Sequence, residues 1–519
     1  MKFNVCILAA GIGSRMGILG KTLNKAIFPY KGKGLISHII DKFPKNSNFI
    51  IAVGYKDKQL IDYLKIAHKE QFHNIRIVKI NNFNGSGSGP GLSLYKCRKY
   101  LVKPFYFVSC DTIIDQALPI DIKNNWVGTN RVLTSISSDY CNFFVLKSEV
   151  KKIFDKKKYE NKKMTSFIGL MFIKDINIFW EGLKNSTKSK TSPQISMGLQ
   201  NIIDKKFLHE KKTKWLDLGT EDKYKEAILK NNPYDFTKKD ETIFFYKNKV
   251  IKYFSEKNIS KERFLKSKIN HNVFPTCKII NNFYYYNFID GKTVYQEINN
   301  KVLTNLLLWL EKKLWIKKKI DKVDFKNLCH NFYKIKTQER IKLYKKKYPN
   351  YNFKSINGEK INSVDFILNK INWKYLIDGI PTFIHGDLQF DNIIYNNKTN
   401  KFKLIDWRHN FDKSIKVGDI YYDLSKLYGG FLIDYSSIKD NKFQYSEKKM
   451  NISFRLLYKN KLDSEFLVYK KYLKDNHYDL NKIKILTAII FLNMSPLHEY
   501  PFDKFLFAYG IKLLDKHTK

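Results

Sequence analysis

Cysteine is scarce in this chain, and none of it is spaced for metal binding. Cys6, Cys97, Cys110, Cys141, Cys277 and Cys329 are spread over 519 residues, with no C-x-x-C pair and no Cys/His cluster at zinc spacing. Cys6 and Cys110 lie inside apolar strand-like runs, as buried free thiols of a reducing compartment do. Long apolar runs are missing as well. No stretch reaches the ~18 apolar residues of a membrane span, and the nearest, residues 485–494, carries Thr487 and Asn493. The apolar start at residues 5–10 is shorter than the ~7–15 residues of a secretory core and is broken by Gly11-Ile12-Gly13. These absences predict a cytoplasmic protein without a membrane span. There is no internal repeat.

Acidic residues are also few: 49 Asp and Glu stand against 94 Lys and Arg, a net charge of +45. Such an excess first suggests nucleic acid or an anionic membrane face. Its distribution argues otherwise. Lysines recur in nearly every segment among Asn, Ile, Tyr and Phe, and clusters such as Lys156-Lys157-Lys158 or Lys345-Lys346-Lys347 are only three residues long. Lysine therefore serves as the default solvated residue, and a specific nucleic-acid partner is not expected. The basic surface still favours anionic small molecules such as nucleotides. What is present in quantity is buryable: 43% hydrophobic and 15% aromatic residues exclude a disordered chain. One core stops growing near ~250–300 residues, so 519 predict two or three domains.

The two halves differ in pattern. Residues 5–8, 49–53, 75–80 and 105–108 read as strands, and 36–43 and 58–68 as helices. That alternation predicts a doubly wound, Rossmann-like α/β domain with a mostly parallel sheet over residues 1–230. Residues 231–237, polar and carrying Pro233, read as a linker. Beyond it, 242–246, 249–254, 276–280 and 283–288 read as antiparallel strands, and a long helical region begins near Val302. This is an α+β order.

A glycine loop follows the first strand directly: Leu8-Ala9-Ala10-Gly11-Ile12-Gly13-Ser14-Arg15-Met16-Gly17. Glycines there let backbone N–H groups approach phosphates, Arg15 adds a bidentate phosphate donor, and Lys25 adds a point charge. The spacing fits neither a full G-x-G-x-x-G nor a Walker loop. Asp111, in Phe107-Val108-Ser109-Cys110-Asp111-Thr112, ends a buried strand at the edge where doubly wound sheets bind ligands. Asp217, ending another apolar stretch, is placed to supply a second carboxylate to the same Mg²⁺. Together LAAGIGSRMG, NKA, SCDT and WLDLGT resemble the sugar-phosphate and phosphocholine nucleotidyltransferase family over about residues 1–230. The resemblance implies that Gly11 and Gly13 bind the NTP and Arg15 and Lys25 stabilise its phosphates. It also implies that Asp111 and Asp217 hold Mg²⁺, that Gly89 and Gly91 approach the nucleobase, and that Lys156 meets the acceptor phosphate. A phosphomonoester would attack the NTP α-phosphorus and expel pyrophosphate. Ile18-Leu19-Gly20-Lys21-Thr22-Leu23 replaces the family's usual Pro-x-Thr segment.

The second motif is Phe383-Ile384-His385-Gly386-Asp387-Leu388-Gln389-Phe390-Asp391-Asn392-Ile393-Ile394, with Lys403-Leu404-Ile405-Asp406-Trp407 downstream. Asp, four residues, Asn is the kinase spacing. Asp387 is placed to accept the proton of an attacking hydroxyl, and Asn392 and Asp406 to bind the Mg²⁺ that bridges ATP phosphates. His385 is expected to organise the loop. HGDLQFDN with IDW resembles the aminoglycoside phosphotransferase and choline kinase family over about residues 238–519. That implies a two-lobed protein-kinase-like domain, with a small lobe near 238–290 and a large lobe near 291–519. It also implies Lys252 on the nucleotide phosphates, Glu262 as its partner and Asn287 at the adenine hinge. No glycine-rich loop precedes Lys252. In Gly418-Asp419-Ile420-Tyr421-Tyr422-Asp423 the first Asp reads equally as a helix start or a substrate contact.

The expected protein is thus a bifunctional enzyme. One domain would phosphorylate a small hydroxyl compound with ATP, and the other would join that phosphate to a nucleotide, CTP favoured, giving a product such as CDP-choline or another CDP-alcohol for surface glycan or lipid. A sugar kinase paired with a sugar-1-phosphate nucleotidyltransferase is the alternative.

Overall fold

Residues 4–9 and 105–109 carry no charge, and such runs form strands covered on both faces. They become β1 (Asn4–Ala9) and, with β2 (Asn48–Val53), β3 (Ile75–Lys79) and β4 (Phe105–Ser109), a parallel set. The computed structural model describes residues 2–186, 193–230, 240–457 and 462–518, so the expected linker 231–237 lies outside the described residues. After β4 come β5 (Asn125–Asn130), β6 (Cys141–Leu146), β7 (Glu149–Asp155), β8 (Met164–Ile173) and β9 (Leu208–Lys212). The nine strands lie in the order β3-β2-β1-β4-β8-β5-β9-β7-β6. Here the expectation of a mostly parallel sheet needs correcting. β8 runs antiparallel to β4 and β5, and β7 antiparallel to β6 and β9, whereas β9 and β5 are parallel. The cause is local. β6 and β7 are joined by Lys147-Ser148, both at positive φ (49° and 62°), the twist-matched two-residue turn that makes a hairpin instead of a crossover.

Between sheet and helices, Cys6, Leu94, Cys97, Phe105, Phe107, Phe143, Phe179 and Leu199 form the core. All six cysteines are free thiols, and Cys6, Cys97, Cys277 and Cys329 are buried.

The chain divides into two compact units, Met1–Asn231 with Thr242–Ser255, and Asn232–Glu241 with Glu256–Lys519. The hairpin at Thr242–Ser255, expected within a small lobe of residues 238–290, therefore falls in the N-terminal unit. Its side chains explain why. The Phe244 ring lies 4.9 Å from that of Tyr63, and both are fully buried. The Tyr246 hydroxyl donates to Asp41 Oδ1 at 2.6 Å, and the Tyr253 hydroxyl accepts from Gln59 Nε2 at 2.7 Å.

The C-terminal unit begins with the helix Lys257–Ile269 and the hairpin of Lys278–Ile280 with Phe283–Asn287. Most of the rest is helical. Lys322–His330 runs through a π-turn, Asn331–Ile335, into Lys336–Lys347. A second hairpin, Ile393–Asn396 with Lys401–Leu404, precedes the buried helix Ile420–Leu432. The stretch Leu480–Leu497 has a mean hydropathy of 1.2 and is long and apolar enough, by length and composition, to cross a membrane. Here it is a core element. Two thirds of it is buried, the Thr487 hydroxyl donates to Ser425 O at 3.0 Å, and Phe491 stacks on Tyr509 of Phe502–His517.

Candidate functional site

In the N-terminal unit the register decides what meets. Leu8 of β1 pairs with Ser109 of β4, so the glycine loop and Asp111 leave the sheet side by side at its carboxyl edge. Gly13 adopts φ 69°, which caps the turn Ser14–Met16, and a Cβ there would stand 3.5 Å from Lys25 Cβ. Lys25 sits in the turn Lys25–Ile27, fixed by the Asn24 side chain, which accepts from Ala26 N at 2.9 Å. From there Lys25 Nζ donates to Asp111 Oδ2 at 2.6 Å and to Gly219 O at 3.0 Å.

The strand Trp215–Asp217 pairs antiparallel with Thr112–Ile114, which sets Asp217 opposite Thr112, next to Asp111. Asp217 Oδ1 accepts from Gly219 N at 2.8 Å, and its Oδ2 accepts from the Tyr140 hydroxyl at 2.6 Å and from Lys223 Nζ at 2.5 Å. The two carboxylates face one gap: a Cβ on Gly219 would lie 2.8 Å from Asp217 Oδ1 and 3.3 Å from Asp111 Oδ2. Burial raises the Asp217 carboxyl, but Lys223, Tyr140 and the Gly219 N–H together hold it below its ordinary range. Burial would lower Lys223, and its bonds to Asp217 and Tyr140 outweigh that and raise it.

The structure thus brings Gly13, Lys25, Asp111 and Asp217 together. Arg15 is exposed on the Ser14–Met16 turn, and Gly11 has no atom within 4 Å of where its Cβ would be. Gly89 caps the helix Pro90–Cys97, and Gly91 packs against the Pro193 backbone, donating its N–H to Pro193 O at 3.0 Å. Lys156 is exposed after β7, and its backbone N–H donates to Tyr140 O at 3.1 Å. Sequence reasoning missed Tyr140 and Lys223. Lys223 had a signal, since it lies in the first turn of the helix that Thr220 caps and so points back at the strand end. Tyr140 had none.

In the C-terminal unit the backbone of the loop of residues 383–392 is held largely by side chains. Buried Asp423 accepts from His385 N (2.8 Å), Gly386 N (2.7 Å) and Trp315 Nε1 (3.1 Å), so its carboxylate clamps the turn before Asp387. Burial pushes Asp423 up to about 6, against the pull of those three donors. The His385 ring sits between Ile405 O (2.9 Å from Nε2) and the Asp387 N–H (3.1 Å from Nδ1), a neutral tautomer with its proton on Nε2. Burial lowers it to about 3, which suits the organising part expected of it. Asn392 Nδ2 donates to Asp387 O at 2.8 Å. Gly386 adopts φ 83°, and a Cβ there would stand 2.8 Å from Arg408 Cβ. Asp387 Oδ1 pairs with Lys426 Nζ at 2.8 Å.

Asp406 follows the Lys401–Leu404 strand at φ 58°, a left-handed conformation that non-glycine residues hold only where surroundings enforce it. Arg263 Nη1 lies 4.0 Å from its Oδ1, while the neighbouring Glu262 accepts from Asn410 Nδ2 at 2.8 Å. Asn287 is exposed at the end of its strand, and Lys252 is buried on Lys249–Phe254, in the N-terminal unit. Asp419 caps Ile420–Leu432 and accepts from the Tyr333 hydroxyl at 2.9 Å, the helix-start reading. Among the described residues no group of three or more His, Cys, Asp or Glu is placed to hold a metal, so each carboxylate set offers fewer than three such ligands.

Residues 5–130 match the family model of the MobA-like NTP transferase domain. Curated relatives include the bifunctional protein GlmU of Methanococcus maripaludis, 27% identical over 222 residues (41% of this chain and 50% of that protein). The bifunctional protein GlmU of Methanocaldococcus jannaschii is 28% identical over 113 residues, 22% of this chain and 26% of that one. The chain spans half their length or less. Solved structures that resemble it include a UDP-glucose pyrophosphorylase with UDP-glucose, at 20% identity and TM-score 0.37 over 44% of this chain and 97% of that one. The CTP:phosphocholine cytidylyltransferase of Streptococcus pneumoniae matches at 19% identity and TM-score 0.35, over 44% and 97%. The N-terminal unit contains a nucleotidyltransferase domain.

Proposed function

Starting from that nucleotidyltransferase domain, we propose that the protein is a bifunctional enzyme whose C-terminal unit phosphorylates a small hydroxyl compound and whose N-terminal unit couples the product to a nucleotide. The observation that carries the nucleotide-coupling half is the convergence of Lys25, Asp111 and Asp217 on Gly219. Two hard carboxylate oxygens facing one gap suit magnesium, which takes one or two protein carboxylates and fills its shell with phosphate oxygens and water. Bound there, it would supply charge neutralisation on the triphosphate. Asp111 and Asp217 would hold it, with Lys25 and Arg15 on the phosphates and Gly11 and Gly13 opening the backbone to them. The acceptor phosphomonoester is already an anion, so the protein's task is alignment and charge, not proton removal. Its oxygen bonds to the α-phosphorus, and pyrophosphate leaves. CTP is the favoured triphosphate, on the resemblance to the phosphocholine enzymes, with Gly89 and Gly91 beside the base and Lys156 toward the acceptor.

In the C-terminal unit, support comes from the clamped loop. Asp387 is presented beside Lys426, and Asn392 and Asp406 are the residues that would hold magnesium on ATP, with Asn287 at the adenine edge. Asp387 receives the proton of the acceptor hydroxyl as it attacks the γ-phosphorus.

One experiment separates the halves. Asp387→Asn should abolish ATP-dependent phosphorylation and spare pyrophosphate release from added phospho-substrate, and Asp111→Asn should do the reverse. If neither substitution separates the two activities, the two-site reading fails.

A further inference from the structure

Around Asp387 the charges do not balance. Lys426 pairs with it from the helix Ile420–Leu432. Two more cations come from Lys336–Lys347: Lys336, and Arg340 one turn later on the same face. Arg408 approaches from the loop that follows Asp406. The Phe332 ring ties them together, with Lys336 Nζ 4.0 Å from its centroid and Arg408 Cζ 4.9 Å away. Phe332 is itself fixed, stacked on Phe411 at 4.1 Å and edge-on to Tyr422 at 4.9 Å. Among the described residues neither the Lys336 ammonium nor the Arg340 guanidinium has an ion pair or a hydrogen bond; exposed Glu339 acts on Arg340 only at a distance. Burial, then the like charges of Arg408, Lys426 and Arg340, lower Lys336 well below its ordinary range, with Asp387 opposing. Burial and Arg408 lower Arg340 too. Gathering four half-buried or buried cations against one carboxylate is costly unless an anion joins them.

We propose that the C-terminal site accepts an anionic alcohol, one bearing a carboxylate or phosphate beside the hydroxyl to be phosphorylated, and that Lys336, Arg340 and Arg408 hold its charge. This rests on reading the C-terminal unit as a phosphotransferase. It argues against the cationic amino alcohol that the choline kinase resemblance implies. A quaternary ammonium needs open aromatic faces, and the rings here, Phe332 and Tyr422, already face the protein's own cations. In the step itself the acceptor oxygen forms a bond to the γ-phosphorus, and the bond from that phosphorus to the β,γ-bridging oxygen breaks. ADP leaves with the electron pair, and the hydroxyl proton passes to Asp387.

The test uses the full chain with ATP and three sets of alcohols: choline and ethanolamine, glycerol and hexoses, and glycerate and glycerol phosphate. Phosphate transfer should go to an anionic member. Lys336→Gln and Arg340→Gln should each raise its KM at least tenfold, with kcat and the KM for ATP within threefold. Nucleotidyl transfer by the N-terminal unit, unaffected, serves as the folding control. A cationic or neutral best acceptor overturns the proposal. So does a rise in the KM for ATP instead, which would assign these cations to the nucleotide. If no alcohol is phosphorylated, the phosphotransferase reading fails on its own, and anion binding is judged separately. Glycerate or inorganic phosphate should then raise the melting temperature of the wild type and not of Lys336→Gln/Arg340→Gln. Equal shifts in both proteins overturn the anion site.

Discussion

Asp217 shows how much of a half-buried carboxylate's behaviour is set by the side chains that bond to it. Its Oδ2 is shared by Tyr140 and Lys223, whose donors are 2.6 Å apart from each other. Replacing Lys223 by Met removes the closest cation. Nucleotidyl transfer should fall about 10–100-fold, as loss of a ligand's supporting partner does. Because Lys223 helps keep Asp217 below its ordinary range, the acid limb of the pH profile should also move to higher pH. Pyrophosphate release measured between pH 5 and 8 checks both; an unmoved acid limb would mean that Lys223 acts only in packing. Lys25, Asp111 and Asp217 were legible in the sequence because each stands at a strand end or turn whose position the apolar pattern fixes. Tyr140 was not, because it reaches Asp217 across 77 residues through the folded sheet. Glu262 and Arg263 show the same limit. A helix turns ~100° per residue, and without knowing the inward face the two are interchangeable on paper.

At the scale of elements, the helix Ile420–Leu432 and the loop it clamps behave as one device. Asp423 only accepts, from three N–H groups. Asp423→Asn would turn an amide N–H toward a donor, costing on the order of 2–3 kcal/mol by the usual charge of an unsatisfied buried group. Phosphotransfer should fall with it while nucleotidyl transfer persists, as urea unfolding and paired assays would show. Gly386→Ala should cost about 1–3 kcal/mol, since alanine must hold φ 83° and place its Cβ 2.8 Å from Arg408 Cβ. A cost near zero would mean that the loop can relax. The parallel strands β1, β2 and β4 were readable from uncharged runs, but the antiparallel half was not. Its hairpin turns on Lys147-Ser148, which lacks the Asn-Gly or Asp-Gly signature of such turns.

For the whole molecule, each unit encloses a neutral histidine. His68, between Ser37 and Gln71, and His385 are both lowered to about 3, chiefly by burial. The unfolded chain, with histidines near 6.5, binds more protons below that pH. Stability is therefore complete above about 6.5 and declines as pH falls toward 3, by at most ~1.4 kcal/mol per pH unit per histidine. Chemical unfolding at pH 7, 6 and 5 should show the decline, and His68→Gln should flatten it for the N-terminal unit. Cutting the chain at residue 230 should also weaken that unit, because Phe244 and Tyr246 leave Tyr63 and Asp41 uncovered. A fragment of residues 1–255 should melt well above one of residues 1–230.

The hairpin at Thr242–Ser255 also bears on synthesis. Neither unit is one continuous stretch of chain, so the order of translation does not match the order of completion. A ribosome that has released residue 230 has delivered the whole nucleotide motif set, yet not the last two strands of the unit that carries it. Until residue 255 emerges, Tyr63 and His68 await their cover, and the nascent chain presents an aromatic face of the kind that chaperones grip.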